Sequence, residues 1–537
     1  MLRKYWLYIL IGVLLLPAFL INLGLLPFID DESIRALVAQ EMDWSGNFVT
    51  PTLHGYYYYN KPPLWNWLLW CSFQLFGGAG EWSARLPTVL CLLAYGATIY
   101  AYSVRHFSRR QSFLNALLFL TCGRILLWDS MLALIDICFS WCMFVLFMEV
   151  YHRFRRQQWW QLFLITYTLT AIGFMLKGLP AVAFQGITLL TWFAYQRRFW
   201  RLFSLPHIAG GLLFLVLVGS YYLAYHQYNS LYEVFPTLLS ESSKRTVVQY
   251  GIGETILHIV QFPFEMIYHF LPWSLLVIYF FRGGVLQKIR QNDFIVYCLL
   301  LFLANIVLYW TSPEVYPRYL LMHAPLIFTV YLYLHQWHRQ ERSWQYLTLR
   351  ILFFVVMVAV TLGALYPAFA ELPTAVPQPA VKALLLFVPL LGLCYAYWQR
   401  QSPKWLLFAA AFLLFRIGFN WFVLPDRNSD DVVTMVREMS TEVGERLRAK
   451  PAYVYAYTLM EPTNSFYLEN AYDGIIPRKL ADYRTDEYYI VNLAQYPLPA
   501  YTVVDSFYAR HERHMYYVVT LPEPAEAPVE MIHIHDY

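Results

Sequence analysis

Long apolar stretches alternate with short polar ones along the chain until about Asp426, where the alternation stops. The apolar segments fall at about 5–27, 86–104, 112–128, 132–150, 160–176, 179–196, 207–225, 269–281, 293–311, 319–335, 349–367, 381–398 and 404–424. A helix needs about 20 apolar residues to cross a bilayer, so the pattern predicts about 13 transmembrane helices in a mainly α polytopic membrane protein. The first segment has no small-residue cleavage site and reads as a retained span. Beyond Asp430 the period changes. Val433, Val436, Met439, Val443 and Leu447 share one face of an amphipathic helix over 430–450. Strand-like runs follow at 452–457, 488–493, 501–507 and 515–521, with a helical stretch near 463–469. The chain therefore divides into a membrane domain, 1–425, and a small external α/β domain, 426–537. The Pro-rich stretch from Pro522 to Pro528 reads as a loose tail.

Composition agrees with the pattern. With 59% hydrophobic and 14% charged residues, the chain cannot cover a soluble protein's surface. Its net charge of +4 matters less than where the charges lie. Arg3-Lys4, Arg105/Arg109/Arg110, Arg153/Arg155/Arg156, Arg197/Arg198/Arg201, Arg282/Lys288/Arg290, Arg339/Arg342/Arg350 and Arg400/Lys404 occupy alternate loops. The positive-inside rule makes those loops cytoplasmic. This predicts a multi-pass protein of the cytoplasmic (inner) membrane, with its N-terminus inside and the C-terminal domain outside. Seven scattered cysteines imply no disulfide framework, and Cys138 and Cys142 read as small core residues. There is no Walker motif, dinucleotide fingerprint or internal repeat, and no nucleic-acid partner is expected.

The external loop 28–85 holds the most informative polar residues. Asp30-Asp31-Glu32 stand where the first span ends. One of them can cap the helix predicted over 33–44, which leaves at least one carboxylate free at the lipid boundary. That helix and a second over 64–76 are expected to be amphipathic and to lie in the interface. Between them come Tyr56 to Tyr59, Asn60 and Lys61, and the loop closes with Arg85. A second acidic site is Asp129 with Asp136, the latter inside an apolar run where it must face a cavity or a partner. Lys177 at the next external turn either pairs with Asp136 or binds phosphate. Arg318-Tyr319 lies outside the tenth span, either snorkelling to the headgroups or serving the site. External cations are few: these, Lys244, Arg245, Lys382 and Arg35.

Carboxylates beside separated cations near lipid fit the cleavage of a lipid-borne phosphate. A carboxylate takes a proton from an incoming hydroxyl, and Lys or Arg neutralises the departing phosphate. A flippase of lipid-linked sugars would also want cations there, but the matched, interrupted halves of transporters are missing. A purely structural, partner-binding protein would leave the acids and Lys177 unexplained. The His533/His535 pair reads as solvated tail.

At these residues the chain resembles a family. Asp30-Asp31-Glu32-Ser33-Ile34-Arg35, the run Trp44 to Pro51, and Asn60-Lys61-Pro62-Pro63-Leu64 look like the first external loop of membrane-embedded GT-C glycosyltransferases, near the protein O-mannosyltransferase and aminoarabinose lipid A transferase group. Asp136, Leu176-Lys177-Gly178, Leu271-Pro272-Trp273-Ser274 and Pro317-Arg318-Tyr319 follow in the family's order. The resemblance implies a GT-C fold and an inverting transferase. It would move a hexose or pentose from a polyprenyl phosphate to a hydroxyl or phosphate on lipid A, another glycan or protein. Asp31, or else Asp30, would be catalytic, with Asp136 ordering the site or the acceptor. Lys61, Arg85, Lys177, Arg318, Tyr319 and Tyr59 would bind substrate. The aminoarabinose branch usually has Glu before the Lys-Pro, able to hold a divalent metal with a His from a later loop. Asn60 stands there in this chain, and His258 is the counterpart of that His.

Overall fold

The structure is a computed structural model that describes residues 2–29, 31–243, 247–370, 376–399, 402–429, 431–509 and 513–523. Asp30, Lys244, Arg245, His533, His535 and most of the Pro-rich tail lie outside the described residues. Among the described residues, eight helices are long and apolar enough to cross a membrane: Glu81–Ser103, Asp136–Arg155, Trp159–Lys177, Leu205–His226, Asp293–Trp310, Trp344–Ala368, Pro379–Trp398 and Lys404–Asn428. A ninth arises if the pair Arg109–Leu120 and Gly123–Met131, bent by 49°, is one span. The bend has a local cause. Gly123 N–H donates to the Leu271 carbonyl at 2.6 Å, and a Cβ at Gly123 would sit 3.0 Å from that oxygen. A neighbouring strand of backbone thus enters where an uninterrupted helix would run.

The apolar run 269–281 behaves differently from its neighbours. It forms a 3₁₀ helix, Trp273–Phe280, at the end of the longer helix Val247–His269. Eight residues at about 2 Å rise cover about half of a hydrocarbon core. Trp273 is buried, and its indole N–H donates to Thr121 Oγ1 at 2.9 Å. This hydrophobic run fills the interior of the bundle and is too short to span by itself.

The C-terminal domain is built around a five-stranded sheet, in the order Arg478–Lys479, Ala452–Tyr455, Tyr488–Val491, His514–Thr520, Thr502–Ala509. The first three strands are parallel and the last two pairings antiparallel. Helices Asp431–Leu447 and Pro462–Tyr472 cover one face, with Val443, Leu447, Leu468, Ile490 and Val518 in the shared core. Tyr455, Tyr483, Tyr489 and Tyr496 form a second cluster. The four expected strands and both helices appear, whereas the two-residue strand Arg478–Lys479 carried no pattern to predict it.

In the first long loop the helices run Glu32–Ser45 and Leu64–Leu75. The first was expected to rest on the membrane with one polar face. It is instead buried on nearly every side, Glu32 to Ala39 included, between Leu64–Leu75 and the C-terminal helix Pro462–Tyr472. Its polar residues have partners within the protein, so amphipathic spacing did not report a lipid surface here. Between these helices Thr52–Leu53 pairs antiparallel with Tyr56–Tyr57. The turn residues His54 and Gly55 have φ of 53° and 70°, the doubly left-handed geometry of a tight hairpin.

Glu32 and Arg85 fasten this loop to the bundle. Both are buried, and they make two contacts, 2.7 and 3.1 Å long. Arg85 also donates to the carbonyls of Leu23, Leu26 and Pro27, while Glu32 accepts the N–H groups of Ile29 and Ala133. A guanidinium has five donors, and the protein itself uses all five. Arg85, expected to bind substrate, thus has all its donors engaged within the protein. Arg85→Ala would strand a buried carboxylate and three carbonyls, and should cost about 3–5 kcal/mol. A clear fall in the melting temperature of the detergent-solubilised protein would check this. An undiminished melting temperature would contradict it.

Candidate functional site

Three helix ends and two loops bring charges together beside the loop 28–85. Asp136 is the first residue of helix Asp136–Arg155, and Lys177 the last of the adjacent helix Trp159–Lys177. Each charge sits at the helix end whose dipole favours it. Gly178 then leaves the helix at φ 81°, a conformation that suits glycine. Lys177 Nζ donates to Asp136 Oδ1. The ammonium also lies 3.7 Å from the centroid of the Tyr319 ring, a cation–π contact.

Arg318 comes from the 3₁₀ turn Pro317–Leu320, which the proline opens. It is buried rather than snorkelling. Its Nη2 is 3.1 Å from Asp31 Oδ2, its Nε is 3.6 Å from Asp136 Oδ2, and its guanidinium covers the Tyr316 ring at 4.4 Å. Exposure separates the two carboxylates. The side chain of Asp31 is 46% exposed and that of Asp136 only 9%. Asp31 is thus the acid that can meet a solute, and Asp136 fixes the cations around it. Asp31 occupies the N-cap position of Glu32–Ser45 without making a side-chain cap bond.

Lys61 approaches from the other end of the loop. Its Nζ pairs with Glu241 Oε2 at 3.1 Å, and both side chains are about one-fifth exposed. Burial holds the Lys61 ammonium below the usual lysine range, against the opposing pull of Glu241. Arg35, next to the acidic residues in sequence, donates to Tyr58 Oη at 2.6 Å, and both are buried. Asp31 and Glu241 act on this pair electrostatically. Tyr59, the tyrosine expected in the site, points elsewhere: its phenol oxygen accepts from Asn229 Nδ2 at 3.1 Å, beside Tyr225. Adjacent residues of an extended segment face opposite ways, so naming one tyrosine from the run required the register. Glu241 was missed because it lies far along the chain in an unremarkable polar stretch.

Asp129 is drawn off by Arg124, which holds both its oxygens at 2.9 and 3.0 Å. His258 is hydrogen-bonded through Nε2 to the Tyr309 carbonyl at 3.2 Å, with its ring near Phe262. Among the described residues no three His, Cys, Asp or Glu side chains are grouped as metal ligands would be. With an amide, Asn60, where a ligating carboxylate would stand, the residues do not fit a divalent metal.

Residues 60–222 match the family described as dolichyl-phosphate-mannose-protein mannosyltransferase. The chain is 33% identical over 204 residues to the undecaprenyl phosphate-alpha-4-amino-4-deoxy-L-arabinose arabinosyl transferase of Pseudomonas savastanoi pv. phaseolicola, covering 35% of this chain and 36% of that protein. It is 27% identical over 176 residues to the protein of that name from Erwinia tasmaniensis, covering 32% and 31%. These matches span about a third of the curated relatives' length. The crystal structure of ArnT from Cupriavidus metallidurans bound to undecaprenyl phosphate superposes with a TM-score of 0.69 at 18% identity, covering 96% of this chain and 98% of that one. The family match is confined to residues 60–222, whereas the fold is shared with that structure over nearly all of the chain.

Proposed function

We propose that the protein is an inverting glycosyltransferase that takes a sugar from a polyprenyl phosphate and places it on a hydroxyl or phosphate of lipid A, another glycan or a protein. The observation that carries this reading is the half-exposed Asp31 held by Arg318, which also reaches the Asp136–Lys177 pair, with Lys61 feeling the charge of Asp31. Asp31 takes the proton of an acceptor hydroxyl as its oxygen attacks the anomeric carbon. The bond from that carbon to the phosphate oxygen breaks, and the phosphate leaves with the electron pair. Lys61 and Arg318 neutralise the charge gained by the phosphate, in a site where low dielectric makes each cation count. Lys177 and Tyr319, stacked on one another, complete the cationic side of the site.

An apolar cavity of about 230 Å³, lined by Phe262, Met266, Phe270, Phe302, Trp310 and Tyr331 among others, suits a prenyl chain. The loop that bears Arg318 joins two of the helices lining it. We divide the chain at 425/426 into a membrane domain and an external domain. We read the apolar segments, with 269–281 crossing only as the continuation of helix Val247–His269, and the basic loops as a multi-pass inner-membrane topology, with the N-terminus cytoplasmic and the site and C-terminal domain outside.

Asp31→Asn should abolish sugar transfer in membranes supplied with polyprenyl-phosphate sugar. Its melting temperature should move by no more than about 1 kcal/mol implies, since the pair it breaks is partly exposed. Full transfer by that variant would sink the assignment. Raising the pH strips the proton from Lys61, so kcat/KM should decline on the alkaline side below the ordinary lysine range of about 10.4. In Lys61→Arg any remaining activity should keep its rate through that range, because guanidinium stays charged. An identical alkaline limb in both proteins would assign it to another group.

A further inference from the structure

We propose that the C-terminal helix Pro462–Tyr472 is a positioning element of the transfer site, acting through His54 and Glu469 to set Lys61 against Asp31. This rests on the reading of those two residues as donor-binding and catalytic.

The helix grips the first loop at two points. At the near end Tyr467 Oη accepts the Phe28 N–H at 3.0 Å and donates to Glu81 Oε1 at 2.7 Å, while Phe466 packs edge-on against Phe28 at 4.7 Å. Phe28 leads directly into Asp31 and Glu32. At the far end the helix holds the hairpin turn. His54 Nδ1 is 2.8 Å from Glu469 Oε1, and His54 Nε2 is 2.9 Å from Ser465 Oγ. The Arg478 N–H donates to the His54 carbonyl at 3.0 Å, and Gly55 packs so closely on Pro477 that a Cβ would lie 3.3 Å from it. The segment leaving this turn runs through Tyr58, the partner of Arg35, to Lys61.

The inner side of the turn is fixed as firmly. Glu41, on the same helix that Asp31 begins, accepts the His54 N–H at 2.5 Å, the Thr52 hydroxyl at 2.6 Å and the Gly55 N–H at 3.2 Å. His54 therefore sits between the helix bearing the proposed base and the C-terminal helix. With the Ser465 hydroxyl turned to the Glu461 carbonyl, 3.2 Å away, His54 Nε2–H donates to Ser465. A neutral ring then presents a lone pair at Nδ1, and Glu469 supplies the proton. Burial favours this arrangement, lowering His54 to about 4 and raising Glu469 well above the carboxylate range. His54 is buried with both ring nitrogens engaged, and Glu469 Oε1 meets both His54 and the Ile476 N–H, so the joint has little freedom to slide. A shift of about 1 Å in the spacing of base and phosphate cation is enough to cost a large factor in rate.

The test is transfer kinetics on the full chain in detergent or liposomes, with hydrogen exchange and melting on the same samples. Glu469→Ala and His54→Ala should each lower kcat by about tenfold or more, with donor KM changed by less than about threefold. The double variant should be no worse than the poorer single one, because the two residues act as a unit. Glu469→Gln, which can still donate to Nδ1, should recover most of the rate. Amides of 52–57 should lose protection in Glu469→Ala while those of the membrane helices keep theirs. If the alanine variants fail to insert and fold, Glu469→Asp, which withdraws the carboxyl by one methylene, carries the same kcat expectation. Wild-type kcat in Glu469→Ala or Glu469→Asp, unchanged protection of the hairpin, or additive losses in the double variant would overturn the proposal. Full transfer by Asp31→Asn would instead remove the reading of the site on which it rests.

Discussion

A buried ion pair, Glu32 with Arg85, sets the geometry on which the rest of the loop depends. It gathers the carbonyls of Leu23, Leu26 and Pro27, the start of Glu32–Ser45 and the N–H of Ala133 around one guanidinium and one carboxylate. Two charges in the interior are affordable only when every donor and acceptor is used, and here the protein uses them all. The consequence falls on the neighbour. With Glu32 turned inward, Asp31 is left facing outward at the edge of the same helix turn, against Arg318. Adjacent acids thus receive opposite tasks from one local conformation.

The charged cluster follows a second economy. Asp136 and Lys177 stand at the ends of neighbouring helices where the backbone dipoles support their charges. Their pairing then provides a fixed frame for Arg318, which is too buried to be held by water. Tyr316 and Tyr319 cover the cations with aromatic faces, which attract positive charge without neutralising it. A site of this kind keeps its cations charged and immobile, as stabilisation of a departing phosphate requires.

The helical bundle and the C-terminal α/β domain were legible because hydrophobic period is a local property: the apolar segments and four strand-like runs map onto helices and strands, although among the described residues only eight or nine helices are long and apolar enough to cross, not thirteen. Acids and cations at segment ends were legible for the same reason, since each is conspicuous in an apolar context. The misreadings share a cause as well. Arg85 looked like a ligand-binding cation, and Glu32–Ser45 like an interfacial helix, because sequence records that a residue is polar and not what satisfies it. Tyr58 and Tyr59 are equivalent in the sequence and differ only in the direction each takes, one to Arg35 and the other to Asn229. Glu41, His54 and Glu469 gave no signal, since their meeting depends on a hairpin turn and on a helix more than 400 residues away in sequence.

The sequence by itself therefore determined the class of the protein, a helical membrane bundle with a small α/β domain, and the region of its acid and cation chemistry. Burial of apolar surface at a fixed period dictates those features segment by segment. Only the tertiary structure decided which acid is free and which is spent, which tyrosine faces the cations, and that the C-terminal domain grips the first loop. Those outcomes hang on pairings between distant groups, where the energy lies in satisfying one buried charge or hydrogen bond with one partner.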